Sequence, residues 1–180
     1  MFAAADIGVR ELMENIFSRK CMAAEKIDSQ LEILIRYLGL SKTDAHLLEY
    51  VKDSKFEAEV DCCHLNVWVK FQIDQGEAVY GWNLFQDKLT GCAEAIFHTV
   101  WKSPDGKLID LTPRADGERL FTFVVDKSRH IILTEYEGML AIQSFSNVAM
   151  LGNKIVNEIE EILIVPQTDM IQKYNLVQYK

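Results

Sequence analysis

Apolar residues return every three or four positions through the first 39 residues: Leu12, Ile16, Cys21 and Met22, then Ile27, Leu31, Leu34, Ile35 and Leu38. Such a stripe is one face of an amphipathic helix, and Gly39 stands where a helix C-cap belongs. Ser41-Lys42-Thr43-Asp44 has N-cap chemistry with an acidic first turn, which predicts a second helix through about Lys52. The expectation is an N-terminal helical segment over residues 1–55, packed as a hairpin on an α+β domain over residues 56–180 or on a partner.

The pattern changes at residue 63. Leu65, Val67, Val69, Phe71 and Ile73 alternate with polar or mixed positions, the period of a half-buried strand. A helix over 63–75 is the competing reading, with Leu65, Trp68, Val69 and Gln72 on one face and Gly76 at its end. Beyond Gly76 strands dominate: Ala78–Phe85, Cys92–Trp101, Lys107–Leu111, Leu120–Val125 and a fifth over His130–Leu133, with Gly138 closing the region. Ile155, Ile159 and Ile162 predict a helix from about Asn153 to Leu163, before Pro166, with Glu160 and Glu161 on its solvated face. Helices, then a meander of about four or five antiparallel strands, then a C-terminal helix make an α+β order.

Composition narrows the function. At 180 residues with 49% hydrophobic and 26% charged positions, the chain is long enough for one well-packed domain. A net charge of −8 with Arg19-Lys20 as the only adjacent basic pair argues against nucleic acid or an anionic membrane as partner. No run approaches the ~20 apolar residues of a membrane span, and the N-terminus lacks the basic and apolar regions of a signal peptide. Cys21, Cys62, Cys63 and Cys92 have no framework spacing, so reduced thiols in a cytoplasmic protein are expected.

The chemistry concentrates around a hairpin. Pro104-Asp105-Gly106 is a turn signal flanked by Phe97, Val100, Trp101, Leu108, Ile109 and Leu111. Folding about it sets His98 and Asp110 on neighbouring strands at roughly equal distance from the turn, close enough for the imidazole to donate to the carboxylate. A histidine oriented by a carboxylate needs only a nucleophile to complete a triad. Cys63 can supply it: at the first turn of a helix the backbone dipole favours the thiolate. Asn66, one turn on, could donate to an oxyanion. Trp68, Trp82 and Trp101 fit either the core or a cleft lining. His46 and His130 have no evident partners.

Zinc is a rival use of the same atoms, since Cys62, Cys63, His64, His98 and Asp110 are all ligand types. Adjacent ligands such as Cys63 and His64 rarely reach one tetrahedral ion, so no metal is assigned.

Cys63-His64-x-Asn66-Val67, then Gly76-Glu77-Ala78-Val79-x-Gly81-Trp82, then Phe97-His98-x-Val100-Trp101 through Asp110-x-Thr112-Pro113, resembles a group of uncharacterised bacterial and phage proteins. That group is similar in turn to transglutaminase-like and papain-like thiol enzymes. The resemblance spans about residues 61–125 and favours the helical reading of 63–75. It implies Cys63 as nucleophile, His98 as base and Asp110 as orienter; Asn66 and Trp101, read from their positions, are the expected substrate-binding residues. The sequence departs from those enzymes in that the first aromatic residue downstream of His98 is Trp101, three positions on, and in having no clear upstream glutamine. The function expected is a thiol-dependent hydrolase or acyltransferase acting on an amide, ester or thioester of a small molecule or peptide, without a cofactor. The alternatives are a non-catalytic interaction module on the same fold, with the N-terminal helices contacting a protein partner or a second copy, and a zinc-dependent hydrolase or module.

Overall fold

The computed structural model describes residues 21–115 and 117–176. The expected helical turns around Leu12 and Ile16 lie outside them. In chain order the elements are β1 (Met22–Ala23), α1 (Ser29–Tyr37), β2 (Ala45–Glu49), α2 (Cys63–Asp74), β3 (Glu77–Asp87), β4 (Cys92–Lys102), β5 (Leu108–Ile109), β6 (Leu120–Val125), β7 (Ile132–Tyr136), β8 (Met139–Phe145), β9 (Val148–Leu151), β10 (Lys154–Asn157), β11 (Glu161–Ile164) and α3 (Met170–Lys173). The architecture is α+β, with an eight-stranded and a three-stranded antiparallel sheet. The large sheet runs β10-β9-β4-β3-β6-β2, with β1 on β3 and β5 on β4, and the small one runs β11-β8-β7.

Helix α1 carries the stripe read from the sequence. Asp28 caps it by accepting the N–H groups of Gln30 and Leu31, both at 3.1 Å. Leu31, Leu34, Ile35 and Leu38 are buried against Trp82, Leu84, Ala93, Ala95 and Phe97 of the large sheet. Each such side chain contributes roughly 1.5–3 kcal/mol by leaving water.

Three expectations are corrected. Residues 43–52 are not a helix: Ser41 caps a single 3-10 turn over Lys42–Asp44, and Ala45–Glu49 then pairs with β6. Only Leu48 of that strand is buried, so tertiary pairing at a sheet edge overrides local cap chemistry. The N-terminal segment therefore contributes one helix and two short strands among its described residues, not a helical hairpin. Residues 153–163 are not a helix either. Lys154 pairs opposite Leu151 across the two-residue Gly152-Asn153 turn, and β11 follows. The only helix after β11 among the described residues is the single turn α3. Gly138 does not end the strand region but forms the tight Glu137-Gly138 turn that pairs Tyr136 with Met139, both turn residues having positive φ.

The ambiguous segment over 63–75 is helical. Its buried positions include Cys63, Asn66, Val67 and Lys70, at helical spacing, while Phe71 and Ile73 of the alternating set are exposed. Two polar residues lie on the buried face: Asn66, bonded to Glu59 and Thr112, and Lys70, ion-paired with Asp53 and Asp74. Gly76 then reverses the chain at φ +98, where a Cβ would meet the Lys102 carbonyl oxygen at 2.4 Å and Trp101 Nε1 at 2.5 Å. Only glycine fits so close a passage. No helix among the described residues is long and apolar enough to cross a membrane.

Candidate active site

One side of β4 creates the site. Strand β3 pairs along its whole length, but on the other side β9 covers only Cys92–Ala95 and β5 only Trp101–Lys102. Residues 96–100 have no strand there among the described residues, and α2 begins beside that gap. Its first two side chains divide between the faces of β4. His64 reaches Thr99 Oγ1 at 2.6 Å through Nδ1 and Ser144 Oγ at 3.2 Å through Nε2. Cys63 interacts with the ring of His98 on the next residue of the strand, and its Sγ lies 3.7 Å from His64 Nδ1.

Asp110 reaches His98 across the hairpin. Trp101 pairs with Ile109, so continuing the register puts Asp110 opposite Val100, on the same face as His98 and diagonal to it. Its Oδ2 lies 3.0 Å from His98 Nε2, and its Oδ1 accepts the Thr112 N–H at 2.8 Å. The carboxylate is 1% exposed and the histidine 7%. With Nε2 held by Asp110, Nδ1 is the ring nitrogen left for sulfur.

The electrostatics of the three groups are coupled. Burial raises the Cys63 pKa, but the charges of His64 and His98 and their hydrogen bonds outweigh it and hold the thiol well below its usual range. Burial also disfavours a charged His98. The Asp110 carboxylate, then the Cys63 thiolate, and hydrogen bonds to both push its pKa up to about 10. Both shifts favour the thiolate–imidazolium form of the pair. The other thiols move the opposite way: burial above all lifts Cys62 to about 11 and Cys21 to about 12, and Cys92 is raised too.

Cys63, His98 and Asp110 line one cleft of about 560 Å³. Its far wall is the face of the small sheet, where Ile142 and Ser144 of β8 lie opposite Ile164 and Ile162 of β11. Cys62, the N-cap of α2, makes no side-chain cap, which leaves first-turn N–H groups uncapped at the start of the helix.

Two expected substrate contacts are placed elsewhere. Asn66 is fully buried: its Nδ2 donates to the Glu59 carbonyl at 2.8 Å and to Thr112 Oγ1 at 3.2 Å, and its Oδ1 accepts the Glu59 N–H at 2.9 Å. It ties the approach to α2 to the segment after Asp110 and has no donor left for an oxyanion. Trp101 donates its indole N–H to the Gln75 carbonyl at 2.7 Å and stacks under Lys70, away from the cleft lining. Its partner is the end of α2. Among the described residues, no group of three or more His, Cys, Asp and Glu side chains could hold a metal ion.

Two residues that sequence reasoning passed over belong to this site. His64 flanks the sulfur, and the sequence considered it only as a metal ligand. Asn83 of β3 lines the cleft at 2% exposure. Its signal was available: a polar amide inside the apolar run Trp82-Asn83-Leu84, in a residue type depleted from strands.

No protein-family model, no curated protein and no solved structure matches this chain.

Proposed function

We propose that the protein is a thiol-dependent acyl enzyme, a hydrolase or acyltransferase of remote papain-like or transglutaminase-like kinship. Cys63 attacks the carbonyl of an amide, ester or thioester. The thiol proton already resides on His98, which passes it to the leaving group. The Cys63 sulfur keeps the acyl group as a thioester until water or another acceptor takes it, with His98 receiving that acceptor's proton. Asp110 holds the imidazole by Nε2 and stabilises its positive charge. Uncapped N–H groups at the start of α2 favour the oxyanion.

The observation that carries this reading is convergence. A thiol with a depressed pKa, a histidine and a buried carboxylate from three separate segments meet at the floor of one cleft. A buried structural cysteine would show the raised pKa of Cys21 or Cys92 instead.

Brief iodoacetamide treatment of the native protein at neutral pH, followed by peptide mapping, tests it. Cys63 is expected to be alkylated first, resolved from its neighbour Cys62, and His98→Ala is expected to slow the reaction. Equal labelling of all four cysteines only after denaturation would make Cys63 a structural thiol and end the proposal.

A further inference from the structure

Asn83 has no evident reason to be polar for the sake of the fold. It sits mid-strand in β3, paired with Ile96 on one side and Phe123 on the other, so its backbone is fixed from both sides. Its side chain is buried, and Oδ1 has no hydrogen-bond partner. An orphaned acceptor of this kind destabilises a protein, and an apolar residue of similar shape would avoid the penalty. An amide kept beside reactive side chains despite that penalty points to a role for its other end, the NH2 donor.

Register puts it beside the triad. Gly81 lies directly opposite His98, and Asn83 is two residues further along β3 on the same face. Diagonal neighbours of that kind are ~7–8 Å apart, within reach of one small substrate group. Asn83 lines the cleft that Cys63, His98 and Asp110 share. With Oδ1 enclosed by protein, the amide's NH2 end is the one available to a ligand.

Resting on the thiol-enzyme reading above, we propose that Asn83 is a catalytic residue, the side-chain oxyanion donor of this site: its Nδ2–H donates to the substrate carbonyl oxygen as the Cys63 sulfur–carbon bond forms. The role completes the site, because Asn66 has no donor left to give. It also fixes the substrate's orientation, with the carbonyl oxygen toward β3 and the acyl chain against the apolar wall of Ile142, Ile162 and Ile164.

Two reagents separate this role from the thiolate itself. Iodoacetamide alkylates sulfur by displacing iodide, and no oxyanion develops. p-Nitrophenyl acetate acylates it: the sulfur–carbon bond forms, the carbonyl oxygen becomes an oxyanion, and its collapse breaks the ester carbon–oxygen bond and expels p-nitrophenolate, while the His98 proton, no longer held by a thiolate, passes to solvent and leaves the imidazole neutral. Water, losing a proton to His98, then cleaves the acetyl thioester to acetate.

Both rates and the melting temperature are to be measured for the wild type, Asn83→Leu and Asn83→Ala. Loss of a pre-organised donor is expected to slow p-nitrophenolate release by about 100-fold or more while alkylation of Cys63 stays within about twofold. Asn83→Leu is expected to melt at or above the wild-type temperature, since it removes an unsatisfied polar atom from the interior. Acylation at the wild-type rate in both variants would overturn the proposal. So would a parallel loss of acylation and alkylation with a lower melting temperature, which would make Asn83 a structural support. A wild-type Cys63 that resists iodoacetamide would sink the thiol-enzyme reading, and this inference with it.

Discussion

The state of the Cys63–His98 pair fixes how alkylation should depend on pH, and removing the histidines that hold the thiol low should change the shape of that dependence. An acid whose pKa is depressed keeps its charge until the pH falls through the lowered value. A base whose pKa is raised keeps its charge until the pH climbs through the raised one. Cys63 is lowered well below 9.0 and His98 is raised to about 10. The reactive thiolate–imidazolium pair should therefore persist from well below pH 9.0 up to about 10. The iodoacetamide rate at Cys63 in the wild type is expected to change little between pH 6 and 8. In His98→Ala the thiol loses one of the two histidines that hold it low, His64 remaining; in the double variant His64→Ala/His98→Ala it loses both, and burial alone raises it. The double variant's rate should then fall about tenfold per pH unit, roughly 100-fold over the same interval, like an ordinary thiol with pKa near 8.5. The slope is a better readout than the rate at one pH, because a low-pKa thiolate is intrinsically less nucleophilic and this offsets part of its larger ionised fraction. Stopped-time alkylation with mass-spectrometric mapping gives both slopes. A wild-type rate that falls tenfold per unit between pH 8 and 6 would refute the ion-pair argument.

Further outcomes follow from the same packing. Asp110→Asn removes the leading cause of the raised His98 pKa while leaving an oxygen for the Thr112 N–H. Turnover of p-nitrophenyl acetate is expected to fall by about 10²–10⁴, and the acidic end of the alkylation plateau should move to higher pH; unchanged turnover would remove Asp110 from the mechanism. Leu34→Ala, at a site with 0% exposure in the α1–sheet core, is expected to cost about 2–5 kcal/mol in denaturant unfolding. A loss under about 1 kcal/mol would mean that α1 is not packed as described. Gly81→Ala puts a Cβ 2.2 Å from the Val124 carbonyl oxygen and 2.6 Å from Phe123 Cζ, directly across β3 from His98. It should destabilise by about 1–3 kcal/mol and slow Cys63 alkylation together; a stable, fully reactive variant would contradict the close packing behind the histidine.

The hairpin was legible because its determinants are local. A Pro-Asp-Gly turn and flanking apolar residues constrain which residues meet, and the step from His98 to Asp110 spans only twelve positions. The register differs in detail: the pair is diagonal rather than directly opposed, since Trp101 faces Ile109. Helix α2 could not be settled by periodicity, because Asn66 and Lys70 are buried through polar partners on other segments. Glu59, Thr112 and Asp53 become partners only in three dimensions, while Asp74 is one turn further along α2. The false helix over 153–163 arose from isoleucines spaced by four and three. The competing signal was Gly152-Asn153, a two-residue hairpin turn, and it decides the outcome. Strand β2 was missed because an exposed edge strand lacks an alternating buried face, and strand β7 was only partly read for the same reason. Asn83 joins the site through the register of β3 with β4, which no local pattern encodes.

In this mechanism Cys63 carries the acyl group and His98 is its proton partner. The most direct measurement is acid-quenched peptide mapping of the native protein during p-nitrophenyl acetate turnover. One acetyl group is expected on Cys63 and none on Cys62, with acetylation lost in Cys63→Ala and strongly reduced in His98→Ala. An acetyl group on Cys62, or p-nitrophenolate release at an unchanged rate in Cys63→Ala, would contradict the account.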